Sequence, residues 1–393
     1  MVLPSSVPVV PLLAGGTAVS TVLLIGAFVL LLLGAEIFTN GVEWLGQRLG
    51  LGDSATGSIL AAVGTALPET MIPVIAIVGA FLSEGPEETS GVGVGAILGA
   101  PFLLATIAMF LIGVSVWYFS DRREHNAQFH INAGSAERDL SFFLVGYSLA
   151  FIAAFIPSKL VSIAIGVFLV LWYAFYVYRS LQADEFVDEG EELDDLYLGK
   201  IADSGIGPVS GAGTNPHSQA SDPDRWIVIL QTLIALGIII GGAHLFVTEI
   251  EYFSNHVFNI PAAVLSLLLA PLATELPEKF NSILWISRDK DTLAIGNITG
   301  AMAFQGTLPV TLGILFTPWN LSLNWGTASF LNAFSAILAI VSAIILYLRI
   351  RSVEKEEKMQ PAPFLIGGLF YVLFIAVVLY HVVVIGLANV PTH

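Results

Sequence analysis

Apolar residues run through this chain in long blocks, separated by short polar stretches. Allowing about 20 residues per membrane crossing, ten blocks qualify: 20–45, 54–82, 92–118, 139–156, 158–181, 226–253, 260–287, 291–316, 325–348 and 362–388. A closed barrel also satisfies its backbone polar groups in lipid, but these blocks are too long and too uniformly apolar for strands. The pattern predicts an all-α polytopic membrane protein with ten transmembrane helices.

Composition agrees, with 55% hydrophobic residues and a mean hydropathy of +0.82, against roughly 45–50% apolar in a soluble domain. Cysteine is absent, which excludes disulfides, thiolate chemistry and Cys-based metal sites. Residues 1–20 contain no Lys or Arg, so the basic start of a cleaved signal peptide is missing and the first block is expected to be a retained helix. With ten crossings, one side carries Arg48, Arg122, Arg123, Arg138, Arg179, Lys200, Arg225, Arg288, Lys290, Arg349, Arg351, Lys355 and Lys358, and the other only Lys159. The positive-inside rule makes the rich side cytoplasmic and puts both termini outside. The net charge of −16 is concentrated in the run ADEFVDEGEELDD at 183–195. That run belongs to a long loop, 182–225, whose remainder is rich in Gly, Pro and Ser and reads as a flexible cytoplasmic linker. The acidic run lacks D-x-D-x-D-G spacing, so a solvated face is preferred to a regulatory Ca²⁺ site.

The two halves of the chain repeat one another. Gly34-Ala-Glu-Ile-Phe matches Gly242-Ala-His-Leu-Phe, and Gly95-Ala-Ile-Leu-Gly-Ala matches Gly296-Asn-Ile-Thr-Gly-Ala. Between them, Gly64-Thr-Ala-Leu-Pro-Glu69 matches Ala273-Thr-Glu-Leu-Pro-Glu278. Five crossings per half is an odd number, so the second half (226–393) is inverted relative to the first (1–181), with 182–225 joining them. Inverted repeats are the architecture of secondary transporters, whose site lies at the midplane on broken helices.

The T-x-L-P-E copies carry the chemistry. A charge at mid-bilayer costs roughly 2.5 kcal/mol or more and persists where it faces a cavity or partner. Pro68 and Pro277, with Pro73 and Pro271 nearby, interrupt helical bonding and free carbonyls, which are tolerable beside a cavity but not beside lipid. Thr65 and Thr274 precede Glu69 and Glu278 by four residues and share their helical face. Each copy therefore offers a carboxylate, a hydroxyl and carbonyls, an all-oxygen set suited to a hard cation such as Ca²⁺. A single Pro-Glu reads equally well as a kink with a polar contact; two copies at matched positions favour the ion site. Glu275 and Lys279 are spaced i, i+4 in the favourable order for an ion pair. Mutual neutralisation is preferred to roles as an extra ligand, proton carrier or built-in cation. Because burial favours the neutral form of a carboxylate, proton coupling is plausible chemistry here. Gly91, Gly95 and Gly99, and likewise Gly296 and Gly300, are spaced for close helix packing. His244 reads as a packed histidine rather than a pH sensor.

Together these motifs resemble the α-repeats of the cation/Ca²⁺ exchanger superfamily, which includes the Na⁺/Ca²⁺ exchangers. Its pattern is G-T-S-L-P-E on the second helix of each repeat and G-N-x-x-G-S-N-x-F-(N/D) on the third. The resemblance covers most of both halves. It implies ten helices around a central cavity, with the first and sixth helices sliding past a core. By resemblance Glu69 and Glu278 are the shared ion carboxylates, Thr65 and Thr274 the coordinating threonines, and the carbonyls of Ala62 and Pro271 further ligands. The motif serines are replaced by Ala66 and Glu275, and the third-helix polar positions hold Ala100, Leu104, Ala301 and Gln305. Asn297, Thr299 and Gln305 remain as neutral candidate ligands.

The expected function is secondary active antiport of a divalent cation, Ca²⁺ first, against Na⁺ or H⁺, with Mg²⁺ as the rival cargo. A channel is disfavoured by the broken, inverted helices. An intramembrane hydrolase using Glu275 and Glu278 is disfavoured because no H-E-x-x-H is present. No cofactor is expected; the expected partners are inorganic cations and the lipid bilayer, not nucleic acid.

Overall fold

The computed structural model describes residues 16–48, 67–82, 87–131, 133–182, 195–199, 224–352 and 358–387. Apolar blocks become helices because only a helix satisfies every backbone group within its own segment in lipid. The first half contains α1 (Thr17–Arg48), α2 (Leu67–Leu82), α3 (Glu87–Leu103), α4 (Met109–Tyr118), α5 (Ala133–Ala153) and α6 (Lys159–Gln182). The second contains α7 (Arg225–Phe253), α8 (Ala262–Thr274), α9 (Leu276–Ser287), α10 (Asp291–Gln305), α11 (Leu308–Phe316), α12 (Ala328–Arg351) and α13 (Ala362–Tyr380). Among the described residues seven helical stretches are long and apolar enough to cross a membrane, and 69–80 and 262–272 form shorter apolar helices. The molecule is an all-α polytopic membrane protein. α5 falls outside both groups; it opens on Glu137, Arg138 and Asp139.

Burial sorts the helices into layers. Most of the stretch Gly91–Tyr118 is buried and forms the centre, whereas little of Lys159–Ser180 is buried and it faces outward. Leu160, Val167, Leu171, Leu369 and Val372 are exposed, an apolar exterior that only lipid can solvate. Trp117, Tyr118, Tyr178, Trp226, Trp325 and Tyr380 are exposed near helix ends, where aromatic rings settle at a membrane interface.

α1 lies along α7, and the repeated G-A motif explains how. A Cβ on Gly34 would sit 2.7 Å from Ile239 Cγ1, and one on Gly242 would sit 3.1 Å from Leu30 Cβ. Each motif glycine therefore marks where one helix backbone presses on the other. A buried amide pair, Gln231 Nε2 to Asn40 Oδ1 at 2.8 Å, fixes the crossing near its end.

α3 packs on α8 even more closely. A Cβ on Gly95 would lie 2.0 Å from the Ala263 carbonyl oxygen, and one on Gly99 would lie 2.2 Å from that of Leu267. The small-residue reading holds here. It fails in the second half: a Cβ on Gly296 meets nothing within 4 Å, and one on Gly300 meets only the Tyr176 hydroxyl at 3.5 Å. The same spacing thus packs in one half and stands open in the other, because close approach needs a facing backbone. Gly95→Ala and Gly99→Ala should each lower the unfolding temperature in detergent, at a cost of about 1–3 kcal/mol from overpacking. Gly296→Ala should change it little. Equal shifts at all three positions would contradict the packing.

Both third-helix motifs run into a local irregularity. After α3, Leu104–Ala108 forms a π-helical turn. It leaves the Ala105 carbonyl to accept the Ser342 hydroxyl of α12 at 2.6 Å. After α10, the chain breaks at Gly306 and Thr307 before α11 starts at Leu308, with Pro309 in its first turn.

Two structural features depart from the expected linker and loops. Residues 195–199, inside the segment read as flexible, dock across α1 and α7. Leu196 is buried beside Ile227 and Val228, Tyr197 N–H donates to Asn40 Oδ1 at 3.2 Å, and Leu198 N–H donates to Gln231 Oε1 at 2.8 Å. Polar helix positions that look idle in sequence are recruited by a strap from the loop. Residues 183–194 and 200–223 lie outside the described residues. A deletion of 200–223 that spares the strap should retain flux; complete loss in a well-folded deletion would contradict the reading of that stretch as a connector.

The second feature is Arg123, fully buried after α4. Its Nη2 meets Asp291 Oδ2 at 2.6 Å, and its Nη1 donates to the Ile286 carbonyl at 2.8 Å. Asp291 Oδ2 also accepts the His130 N–H at 2.8 Å. His130 in turn pairs with Lys358 in a two-stranded ribbon, β1 (Phe129–His130) with β2 (Lys358–Met359). One guanidinium thus joins the end of α9, the start of α10 and the loop before α5.

Candidate cation site

The second T-x-L-P-E copy forms a true break. Helix α8 ends at Thr274, Glu275 turns with φ −88° and ψ 7°, and α9 begins at Leu276. Pro277 stands in the first turn of α9, where its missing N–H removes no helical bond. In the first copy α2 begins at Leu67, placing Pro68 and Glu69 in its first turn. Thr65 and Ala62, two of the expected ligands, lie outside the described residues.

The two motif glutamates are buried, with Glu69 7% and Glu278 4% exposed. Glu69, Glu275, Glu278 and Lys279 are close enough to interact electrostatically with one another. Gln305 Nε2, at the end of α10, donates to Glu69 Oε2 at 2.8 Å across the interface between the halves. Beside Glu69 is a narrow cleft lined by Ile72, Ala96, Ala100, Ala270, Pro271 and Thr274. Pro271 and Thr274 are thus placed with Glu69. The Thr274 hydroxyl donates to the Ala270 carbonyl at 3.0 Å, leaving its lone pairs as acceptors.

Two carboxylate oxygens in this cluster are buried without a hydrogen-bond partner among the described residues: Glu278 Oε2 and Glu275 Oε1. Their companions differ. Glu275 Oε2 accepts Lys279 Nζ at 2.8 Å, and Lys279 Nζ also reaches the Pro271 carbonyl at 3.4 Å. Orphaned acceptors in a low-dielectric interior are costly, and a cation is the partner that would satisfy them.

The neutral candidates divide. Gln305 reaches a motif carboxylate. Asn297 Nδ2 instead donates to the Glu278 carbonyl and to Ser282 Oγ, both at 3.1 Å, and so fastens α10 to α9. The Thr299 hydroxyl donates to Asp139 Oδ2 at 2.7 Å. Asp139, 2% exposed on α5, also accepts from the Tyr176 hydroxyl at 3.1 Å and from Arg138 Nη2 at 3.3 Å. Sequence reading passed over it, although an acid opening an apolar block was its visible signal. His244 is exposed on α7 rather than packed, because its helix turns that face away from α1.

Comparison with known proteins adds to this geometry. The family model for the sodium/calcium exchanger protein family matches residues 19–182 and 227–383. The "Putative antiporter CaxA" of Alkalimonas amylolytica is 20% identical over 362 residues, covering 91% of this chain and 99% of that protein. The inner membrane protein YrbG of Escherichia coli (strain K12) is 23% identical over 303 residues, covering 76% and 80%. Among solved structures, the H⁺/Ca²⁺ exchanger CAX matches with a TM-score of 0.57 at 15% identity, covering 92% of this chain and 88% of that one. The sodium-calcium exchanger NCX_Mj, soaked with Na⁺ and Sr²⁺, matches with a TM-score of 0.51 at 15% identity, covering 91% and 98%. At such identity these two show a shared fold.

Proposed function

Because the chain belongs to the sodium/calcium exchanger family, we propose that it is a secondary active antiporter. It moves a divalent cation, Ca²⁺ first, in exchange for Na⁺ or H⁺ by alternating access at the glutamate cluster. The observation that carries this reading is the pair of orphaned carboxylate oxygens on Glu275 and Glu278, buried with Glu69 nearby. Three carboxylates and one ammonium leave two negative charges, the complement of one divalent ion. The ligands are Glu69 and Glu278, with Thr274, Gln305 and Glu275 from the described set, and Thr65 and the Ala62 carbonyl from residues 61–66; the Pro271 carbonyl is shared by the Glu275 N–H and Lys279 Nζ. The Asn297 Nδ2 is engaged with α9 through the Glu278 carbonyl and Ser282, and its Oδ1 remains a candidate neutral ligand. The names of the relatives point the same way, being an antiporter and two Ca²⁺ exchangers.

Ten crossings in two inverted repeats complete the proposal. Support comes from pairs of matching helix contacts: α2 on α3 and α9 on α10; α3 on α12 and α10 on α5; α4 on α13 and α11 on α6; and α1 on α7 between the halves. In this proposal 182–225 is cytoplasmic and both termini are outside, an orientation supported by the distribution of basic residues among the loops.

Flux of radiolabelled Ca²⁺ into proteoliposomes tests the function. Uptake should require an outward Na⁺ gradient or a pH step and should saturate. Uptake that follows the Ca²⁺ gradient alone would indicate a channel. No Ca²⁺ uptake under either gradient would overturn the cargo and direct the same assay to Mg²⁺.

A further inference from the structure

Lys279 is an unusual guest in a cation site. Its side chain is 4% exposed, and the Glu275 carboxylate it meets is fully buried. The ammonium is held by a carboxylate oxygen at 2.8 Å and, more loosely, by the Pro271 carbonyl oxygen at 3.4 Å. Pro271 also lines the cleft beside Glu69, and its carbonyl accepts the Glu275 N–H at 3.2 Å. Oxygen ligands on one positive charge are also what a small monovalent cation takes. The lysine carries the same charge on a flexible stem that cannot leave.

Resting on the cation-site reading above, we propose that the Lys279 ammonium is a tethered monovalent cation. It permanently fills an oxygen-lined position that Na⁺ would otherwise occupy. The pocket is thereby set for one divalent ion without a monovalent companion at this position. An ion pair serving only to close the helix break would stabilise the fold without excluding an ion. The tethered-cation assignment makes a different demand: removing the ammonium must create an appetite for a free monovalent ion.

Purified full-length protein in detergent tests this by thermal unfolding with Na⁺ titrated against choline, at fixed ionic strength and without Ca²⁺. Lys279→Met leaves three carboxylates uncompensated, and Na⁺ should raise its unfolding temperature by several degrees more than it raises that of the unmodified protein. Should Lys279→Met fail to fold, Glu275→Ser with Lys279→Leu carries the test. Replacing both members of a buried ion pair is often neutral for stability, and the double variant opens a hydroxyl and the Pro271 carbonyl to the same ion. Lys279→Arg keeps the charge and should respond to Na⁺ as the unmodified protein does. A Na⁺ response in the folded variants equal to that of the unmodified protein would overturn the proposal. The assay needs no transport, so absence of both Ca²⁺ and Mg²⁺ flux in vesicles would sink the antiporter reading while leaving the lysine assignment decided by its own result.

Discussion

Glu278→Gln and Glu69→Gln each abolish cation flux while the protein remains folded. The substitution keeps side-chain shape and removes one charge. Glu278 has an oxygen without a hydrogen-bond partner among the described residues, so little of the native hydrogen bonding depends on its ionised form. Glu69 accepts from Gln305 Nε2 at 2.8 Å, and a glutamine carbonyl oxygen can accept the same bond. On the proposed function, however, the divalent ion loses a full unit of countercharge in a buried site. Removing one partner of a buried, desolvated charge pair costs about 2–5 kcal/mol. Flux should therefore fall by about 30-fold or more at subsaturating Ca²⁺. The measurement is proteoliposome uptake normalised to monodisperse protein on size exclusion. Full flux in either folded variant would remove that glutamate from the site. Gln305→Ala should be milder, since it deletes a neutral donor and leaves the charge balance intact.

Arg123→Met unfolds much of the protein or lowers its unfolding temperature severely. The guanidinium is wholly buried, bonded to Asp291 Oδ2 at 2.6 Å and to the Ile286 carbonyl at 2.8 Å. Without it Asp291 stays buried without its guanidinium partner, and breaking one side of a buried pair typically costs about 3–5 kcal/mol. The loss lands where α9, α10 and the loop before α5 converge, so the elements that carry Glu278 and Gln305 lose their common anchor. Adding Asp291→Leu to Arg123→Met should recover part of the stability, because the uncompensated charge is then gone. Thermal unfolding in detergent measures both variants. An unchanged melting temperature for the single variant would show that the pair contributes nothing net.

Particular residues show how far sequence reading reached. The alternation of apolar blocks with basic loops was enough to assign a polytopic helical membrane protein, because lipid leaves the backbone so few options. The paired T-x-L-P-E copies marked Glu69 and Glu278, since a carboxylate beside a helix-breaking proline is too costly in lipid to be idle. The G-A pairs at Gly34 and Gly242 were visible as repeats, but only the crossing of α1 and α7 gave them a task.

Other assignments depended on partners distant in the chain. Gly95 and Gly296 have the same spacing, yet only Gly95 meets a facing backbone. Asn297, Thr299 and Gln305 look equivalent on one motif. The fold sends the first to the Glu278 carbonyl and the second to Asp139, and only the third to Glu69. Asp139 was passed over and Arg123 was counted only as a loop cation, because each meets groups more than a hundred residues away. The strap at 195–199 was hidden in a loop whose composition argued for flexibility, and Asn40 and Gln231 hold it.

What the sequence determined by itself is the class of molecule and the chemistry it conceals. Hydrophobic length and proline-linked acids are local properties, and their energetic cost in lipid does not depend on neighbours. What only the tertiary structure decided is which oxygens meet, which remain unpaired among the described residues, and that the Lys279 ammonium lies against Glu275. Those are contacts between segments far apart in the chain, and hydrogen-bond geometry fixes them to within a few tenths of an ångström.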